Sequence, residues 1–154
     1  MRAAMDELGI AGRVIGRSSL YRTQPVGLRA QPAFINAAAV IETSLDAEGL
    51  LEFLLATERS YGRDRERDVP KGPRALDLDL LLIDDAVLRT KTLTVPHPAL
   101  AERRFVLAPL GEIAPQWRHP ELGKTIAELL AALPAEGANG LDAVEKLQEG
   151  QPWP

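Results

Sequence analysis

The sharpest chemical signal in this chain is Asp77-Leu78-Asp79. It lies within Ala75–Ile83, where Leu76, Leu78, Leu80 and Leu82 alternate with Asp77, Asp79, Leu81 and Ile83 in the period of a strand. Side chains two apart on a strand leave the same face about 6.5–7 Å apart along the backbone. Two such carboxylates can share one magnesium ion or hold two, and magnesium favours oxygen ligands while also coordinating substrate phosphates. The same residues also suit a half-buried strand with a solvated polar face, and the tripeptide taken alone favours that plainer role.

The residues just upstream change the balance. Arg59, Arg63, Arg65, Arg67, Lys71 and Arg74 face only Asp64, Glu66 and Asp68, a local +3 in a chain of net charge −4. Guanidinium groups match phosphate oxygens, and an acidic pair alone would repel a polyphosphate. The alternating charges of Arg63–Asp68 could instead pair among themselves on a solvated loop. Their position beside the carboxylates favours a magnesium–nucleotide site. Pro70-Lys71-Gly72-Pro73 marks the stretch as a loop, and loops of this kind often close over nucleotides.

Three further residues have chemical potential. His97 stands between Pro96 and Pro98, where an imidazole N–H could donate to phosphate, although loop histidines are more commonly structural or solvated. Phe34, Asn36 and Phe105 could form a slot for a flat heteroaromatic ring, with core packing as the competing use of the phenylalanines. The familiar nucleotide loops are absent. Gly123-Lys124-Thr125 resembles the end of a Walker A, but Arg118 stands where its first glycine belongs, so a helix start is the better reading. No Gly-x-Gly-x-x-Gly supports a dinucleotide fold.

The elements that must position these groups follow from periodicity. Met1–Leu8 reads as a helix ended by Gly9, and Val14–Arg22 as a strand followed by a loop to Pro32. Phe34–Thr43 alternates, with Ile35, Ala37, Ala39 and Ile41 opposite Phe34, Asn36, Ala38, Val40 and Glu42. Asp46 caps a helix with a Leu50, Leu51, Leu54, Leu55 stripe that Gly62 ends. A turn at Asp84-Asp85, a short strand at Val87–Arg89 and extended chain at Leu93–Pro98 come next. Helices are expected at Ala99–Arg103 and Thr125–Leu133, and a weak one at Leu141–Leu147. The class is α+β, with helices on one side of a mainly antiparallel sheet.

Composition bounds the function. With 154 residues and 16.7 kDa, one domain over 1–154 is expected, its tail from 134 to 154 partly mobile. A pI near 5.3 argues against bulk attraction to nucleic acid. The absence of cysteine removes disulfides and thiolate chemistry, and with only two histidines any metal should be held by carboxylates. No run approaches the roughly 20 apolar residues of a membrane span, and the first nine residues resemble no targeting signal, so a cytoplasmic monomer is expected.

Taken together, these residues resemble the 6-hydroxymethyl-7,8-dihydropterin pyrophosphokinase family of folate biosynthesis. The resemblance rests on Leu20-Tyr21-Arg22-Thr23 with Pro25-Val26-Gly27, Gln31–Ala38, Glu58–Arg63, Gly72–Asp79, and Leu93–Pro98 through Arg103-Arg104-Phe105, in family order from about Leu20 to Leu133. It implies a ferredoxin-like fold and transfer of pyrophosphate from ATP to the pterin hydroxymethyl group, releasing AMP. Asp77 and Asp79 would hold two magnesium ions. Glu58, Arg65, Thr94, His97 and Arg103 would line the nucleotide site, and Arg63 and Arg74 would neutralise charge in transfer. Thr23, Val26, Phe34, Asn36 and Phe105 would hold the pterin.

This chain departs from the family pattern at three places. The family's first strand and complete first helix are represented here only by residues 1–9 of that helix, so a sheet short of one central strand is expected. Pro70 and Lys71 stand where a basic and an aromatic residue are usual, which would let Arg67 substitute, and Gln24 replaces a common proline. A noncatalytic pterin- or nucleotide-binding family member is the alternative.

Overall fold

The computed structural model describes residues 2–23, 33–62, 76–134 and 143–148. The first helix, α1 (Arg2–Ala11), runs through Gly9, which was expected to end it. The chain turns instead at Gly12, where an added Cβ would lie 2.1 Å from the carbonyl oxygen of Glu42. Only a glycine lets the end of the helix approach the neighbouring strand so closely.

Strand β1 (Arg13–Arg17) pairs antiparallel with β4 (Ala39–Glu42), and strand β2 (Tyr21–Thr23) pairs with β3 (Phe34–Asn36). Each of two expected long strands is thus broken in two. Ser18 explains how the break is tolerated: its amide donates to Ala38 O, its Oγ accepts from the Ala38 amide, and that Oγ donates to Ser19 O. A buried hydroxyl here replaces ladder bonds where the chain passes from one small sheet to the next.

Helix α2 (Ala47–Ser60) starts as expected, with Asp46 Oδ1 accepting from the Gly49 amide at 2.8 Å, and Gly62 follows its end at φ +86°. Leu50 and Leu54 are buried, together with Thr57 and Glu58, which the leucine stripe did not announce. The Asp84 turn is present, with the Ala86 amide bonded to Ile83 O. Strands β5 (Leu88–Arg89) and β6 (Thr94–Val95) form a small hairpin, and the Val95–Pro96 bond is cis. A short 3-10 turn (Leu100–Glu102) leads into α3 (Arg104–Ile113), a helix that the sequence did not predict because Pro109 and Gly111 lie inside it. Burial of Leu107, Pro109 and Leu110 outweighs those local preferences. Thr125 caps α4 (Ile126–Ala132) with a reciprocal Glu128 box, confirming the helix start.

Other expectations are overturned as well. Residues 143–148 contain a strand, β7 (Val144–Lys146), not a helix, because pairing with β2 supplies ladder bonds that local propensity does not foresee. Ala75–Ile83 was expected as a strand, yet residues 76–83 belong to no ladder among the described residues. A strand needs a hydrogen-bonding neighbour, and no described strand is bonded to this segment.

Among the described residues the arrangement is α+β, with antiparallel sheets of two, three and two strands. Helices lie on both faces of the β1–β4 pair, not on one. Ala39 and Ile41 pack with Met5, Leu8, Leu50 and Leu54 of α1 and α2. Val40, on the opposite face, packs with Leu107, Leu110, Ile126 and Leu129 of α3 and α4. The segment after residue 76 enters both layers, with Leu78 and Leu80 in the first and Leu81 and Leu82 in the second.

Candidate active site

Asp77 and Asp79 are exposed and alternate with Leu78 and Leu80, whose packing turns the two carboxylates away from the α1–α2 layer. Side-chain and loop contacts hold this segment where a ladder was expected. Glu58 Oε1 accepts the amide of Leu78, the residue between the two aspartates, at 2.8 Å. Glu58 is 1% exposed and sits in the last turn of α2, where both burial and the helix dipole oppose a negative charge. The bond to a backbone N–H offsets that cost and sets the height of the acidic pair. Glu58, expected to line the nucleotide site, is thus bonded directly to the segment that carries the two carboxylates.

The other end of the segment is tied to His97, whose amide donates to Leu81 O at 2.9 Å. The His97 Nδ1 accepts from the Ala99 amide at 3.1 Å. An imidazole accepting at Nδ1 carries its proton on Nε2 when neutral, so the ring presents a donor from its far side. Thr94 lies half-buried in β6 opposite Arg89.

The residues expected around a flat ring lie on β2, β3 and α3. Asn36 Nδ2 donates to Thr23 Oγ1 at 2.9 Å across the β2–β3 pair. That bond fixes the amide plane and leaves its carbonyl oxygen available to accept. Phe34 stands opposite Thr23 and is 40% exposed, so its ring is not a core residue. Phe105 opens α3 beneath the guanidinium of Arg103, which lies 5.8 Å from the ring centroid. A residue expected on the nucleotide side thus touches one expected on the pterin side. Val26, Arg63, Arg65 and Arg74, together with Gln24, Arg67 and most of the expected lid, lie outside the described residues.

One cluster escaped the sequence. Glu112 of α3 accepts from the Ser19 amide at 3.1 Å, the Ser19 hydroxyl at 2.8 Å and the Tyr21 hydroxyl at 2.8 Å, and from Lys146 Nζ at 3.2 Å. Burial alone would raise its pKa, but the bonds from Ser19, Tyr21 and Lys146 hold the carboxyl below the ordinary value. Burial first, then the bond to Glu112 and its charge, push the Tyr21 hydroxyl up to about 12. No local pattern could signal this cluster, since its members lie 93, 91 and 34 positions apart.

The described residues thus hold an exposed carboxylate pair on extended chain and, on the β2–β3 pair, an amide fixed by Thr23 with an exposed phenylalanine. The model of the 7,8-dihydro-6-hydroxymethylpterin-pyrophosphokinase family matches residues 1–115. A 2-amino-4-hydroxy-6-hydroxymethyldihydropteridine pyrophosphokinase of Synechocystis is 44% identical over 132 residues, covering 84% of this chain and 66% of that protein. The Pseudomonas aeruginosa protein of the same name is 43% identical over 129 residues, covering 84% of this chain and 78% of its own length. The folic acid synthesis protein fol1 of Schizosaccharomyces pombe is 39% identical over 125 residues, covering 81% of this chain but 17% of that much longer protein. This chain belongs to the 7,8-dihydro-6-hydroxymethylpterin-pyrophosphokinase family.

Proposed function

We propose that this chain transfers pyrophosphate from ATP to 6-hydroxymethyl-7,8-dihydropterin, giving AMP and the pterin diphosphate. The observation that carries this reading is the exposed Asp77 and Asp79 pair set by a buried Glu58, in a chain 43% identical to a pyrophosphokinase over most of its length. The hydroxymethyl oxygen attacks the β-phosphorus, the bond to the oxygen bridging to the α-phosphorus breaks, and the hydroxyl proton passes to solvent. In such a transfer the protein positions the reactants and stabilises spreading charge.

Asp77 and Asp79 would hold magnesium, two ions in all. The donor set fits: two carboxylates turned outward leave most of an octahedral shell for waters and phosphate oxygens. Held by Asp77 and Asp79, magnesium would supply neutralisation of the phosphate charge. His97 Nε2, protonated because Nδ1 already accepts a bond, donates to a phosphate oxygen. Arg103 places its charge over Phe105, and Arg63, Arg65 and Arg74 add further cations along the polyphosphate. Asn36, held by Thr23, reads the pterin edge while Phe34, Phe105 and Val26 contact its faces. A ferredoxin-like sheet, a monomeric state and a cytoplasmic setting belong to the same proposal. Among the described residues no helix is long and apolar enough to cross a membrane.

The alternative, a ligand-binding member without turnover, takes its support from the acidic segment, which joins no ladder among the described residues. One assay separates the two. Purified chain, magnesium, ATP and the pterin should release AMP, and Asp77→Ala should not. A folded chain that binds the pterin and releases no AMP establishes the alternative instead.

A further inference from the structure

The Glu112 cluster lies outside the residues assigned to chemistry, yet it is joined to them by strand register. Tyr21 is paired directly with Asn36 in the β2–β3 ladder, and Thr23, the hydrogen-bond partner of Asn36, lies two residues along on the same buried face as Tyr21. Two residues along a strand restore the same face, so Tyr21, Asn36 and Thr23 form one contiguous patch. The opposite strand neighbour is β7, whose Lys146 pairs with Tyr21 in register and also reaches Glu112. One carboxylate of α3 therefore grips the central strand β2 and its neighbour β7, and Asn36 stands on β3 directly opposite the gripped Tyr21.

We propose that Glu112 is a positioning residue for the pterin, acting through Tyr21 on the Thr23–Asn36 pair, on the understanding that the proposed function is correct. The three-strand sheet β3-β2-β7 is small, each strand having three residues, and it is separate from the β1–β4 pair. Strands this short carry few ladder bonds, so the place of their side chains depends on what anchors them. Glu112 supplies that anchor with a side chain 26% exposed that receives four donors. Charge-assisted bonds of this kind are about twice as strong as neutral ones, which suits a single group fixing a strand to a helix. The same helix carries Phe105 in its first turn, so the grip also sets the distance between the amide and the aromatic side of the slot. None of these four bonds reaches the acidic pair, so their loss should be felt by one substrate and not by the other.

The experiment is steady-state AMP release by the full chain, varying 6-hydroxymethyl-7,8-dihydropterin and ATP separately, for wild type, Glu112→Ala and Tyr21→Phe. Loss of several charge-assisted bonds should raise the KM for the pterin about tenfold in Glu112→Ala, and loss of one about threefold in Tyr21→Phe, with kcat and the KM for ATP within about twofold. Tyr21→Phe keeps the ring and removes only the hydroxyl, so it tests the proposal even where Glu112→Ala does not fold. Folded variants with an unchanged pterin KM, or with both KM values raised equally, overturn it. A folded wild type without turnover overturns the parent function and this role with it, a result distinct from active wild type with unresponsive variants.

Discussion

The two halves of the site are held in opposite ways. On the pterin side, Thr23 and Asn36 sit on paired strands in a defined register, and their own hydrogen bond joins those strands. On the metal side, Asp77 and Asp79 sit on extended chain without a ladder among the described residues, held through the Glu58 bond to the Leu78 amide and the His97 bond to Leu81. Even a short ladder shares the positioning of a side chain between its own bonds and the Glu112 anchor, whereas a segment held outside a ladder rests it on each separate contact. Single substitutions should therefore act more sharply on the acidic side.

The largest effect expected is on chemistry alone. Asp79→Ala should lower AMP release about a thousandfold or more while the pterin still binds, since metal-held charge is lost and the strand edge is untouched. Equilibrium pterin binding, followed by its fluorescence, checks the second half of that statement. Next comes Glu58→Ala, which takes the partner from a part-buried backbone amide and should cost about 1–3 kcal/mol in urea unfolding and also lower kcat. Were this variant as stable and active as wild type, the contrast between the two halves would be wrong. Asn36→Ala should cost about 1 kcal/mol or less of stability and raise the pterin KM about tenfold, leaving the KM for ATP unchanged.

The smallest effect is one of pH. The Tyr21 hydroxyl is raised from 10.0 to about 12, first by burial and then by Glu112. A group that holds its proton more tightly when folded stabilises fully below its unfolded value, and that contribution is lost as pH rises through the folded one. Stability attributable to Tyr21 should accordingly hold to pH 10 and fall between 10 and about 12. Subtracting a urea-midpoint series for Tyr21→Phe from that of wild type isolates it. Glu112, held below the ordinary carboxylate value, has the opposite sign: its contribution is present at neutral pH and is lost as pH falls through that lowered value.

What could be read from the sequence divides along the same line as local and distant contacts. Asp46 and Thr125 announce α2 and α4 because a cap is a matter of three residues. The alternation of Ala75–Ile83 put Asp77 and Asp79 on one face, and both are exposed, but Leu81 and Leu82 pack in the same layer, and pairing requires a neighbour that alternation cannot supply. Helix α3 was hidden by Pro109, whose penalty is local while its compensating burial comes from α4 and β4. Val144–Lys146 looked weakly helical for the converse reason, since its strand exists through β2. In the site, residue types were legible and their functions less so. Glu58 reads as a charged end of a helix, and only the fold shows it reaching an amide 20 positions away. Glu112 had no local signal at all.

Gly12 and Gly9 stand three residues apart, one just past the end of the first helix and one inside it, yet they face different fates under random mutation. An added Cβ at Gly9 meets nothing within 4 Å, whereas at Gly12 it would overlap the Glu42 carbonyl and press on Thr43. In a library of variants, residue 9 should accept most side chains and residue 12 almost none. A single backbone contact thus closes residue 12 to variation while a position three residues earlier on the same chain stays open.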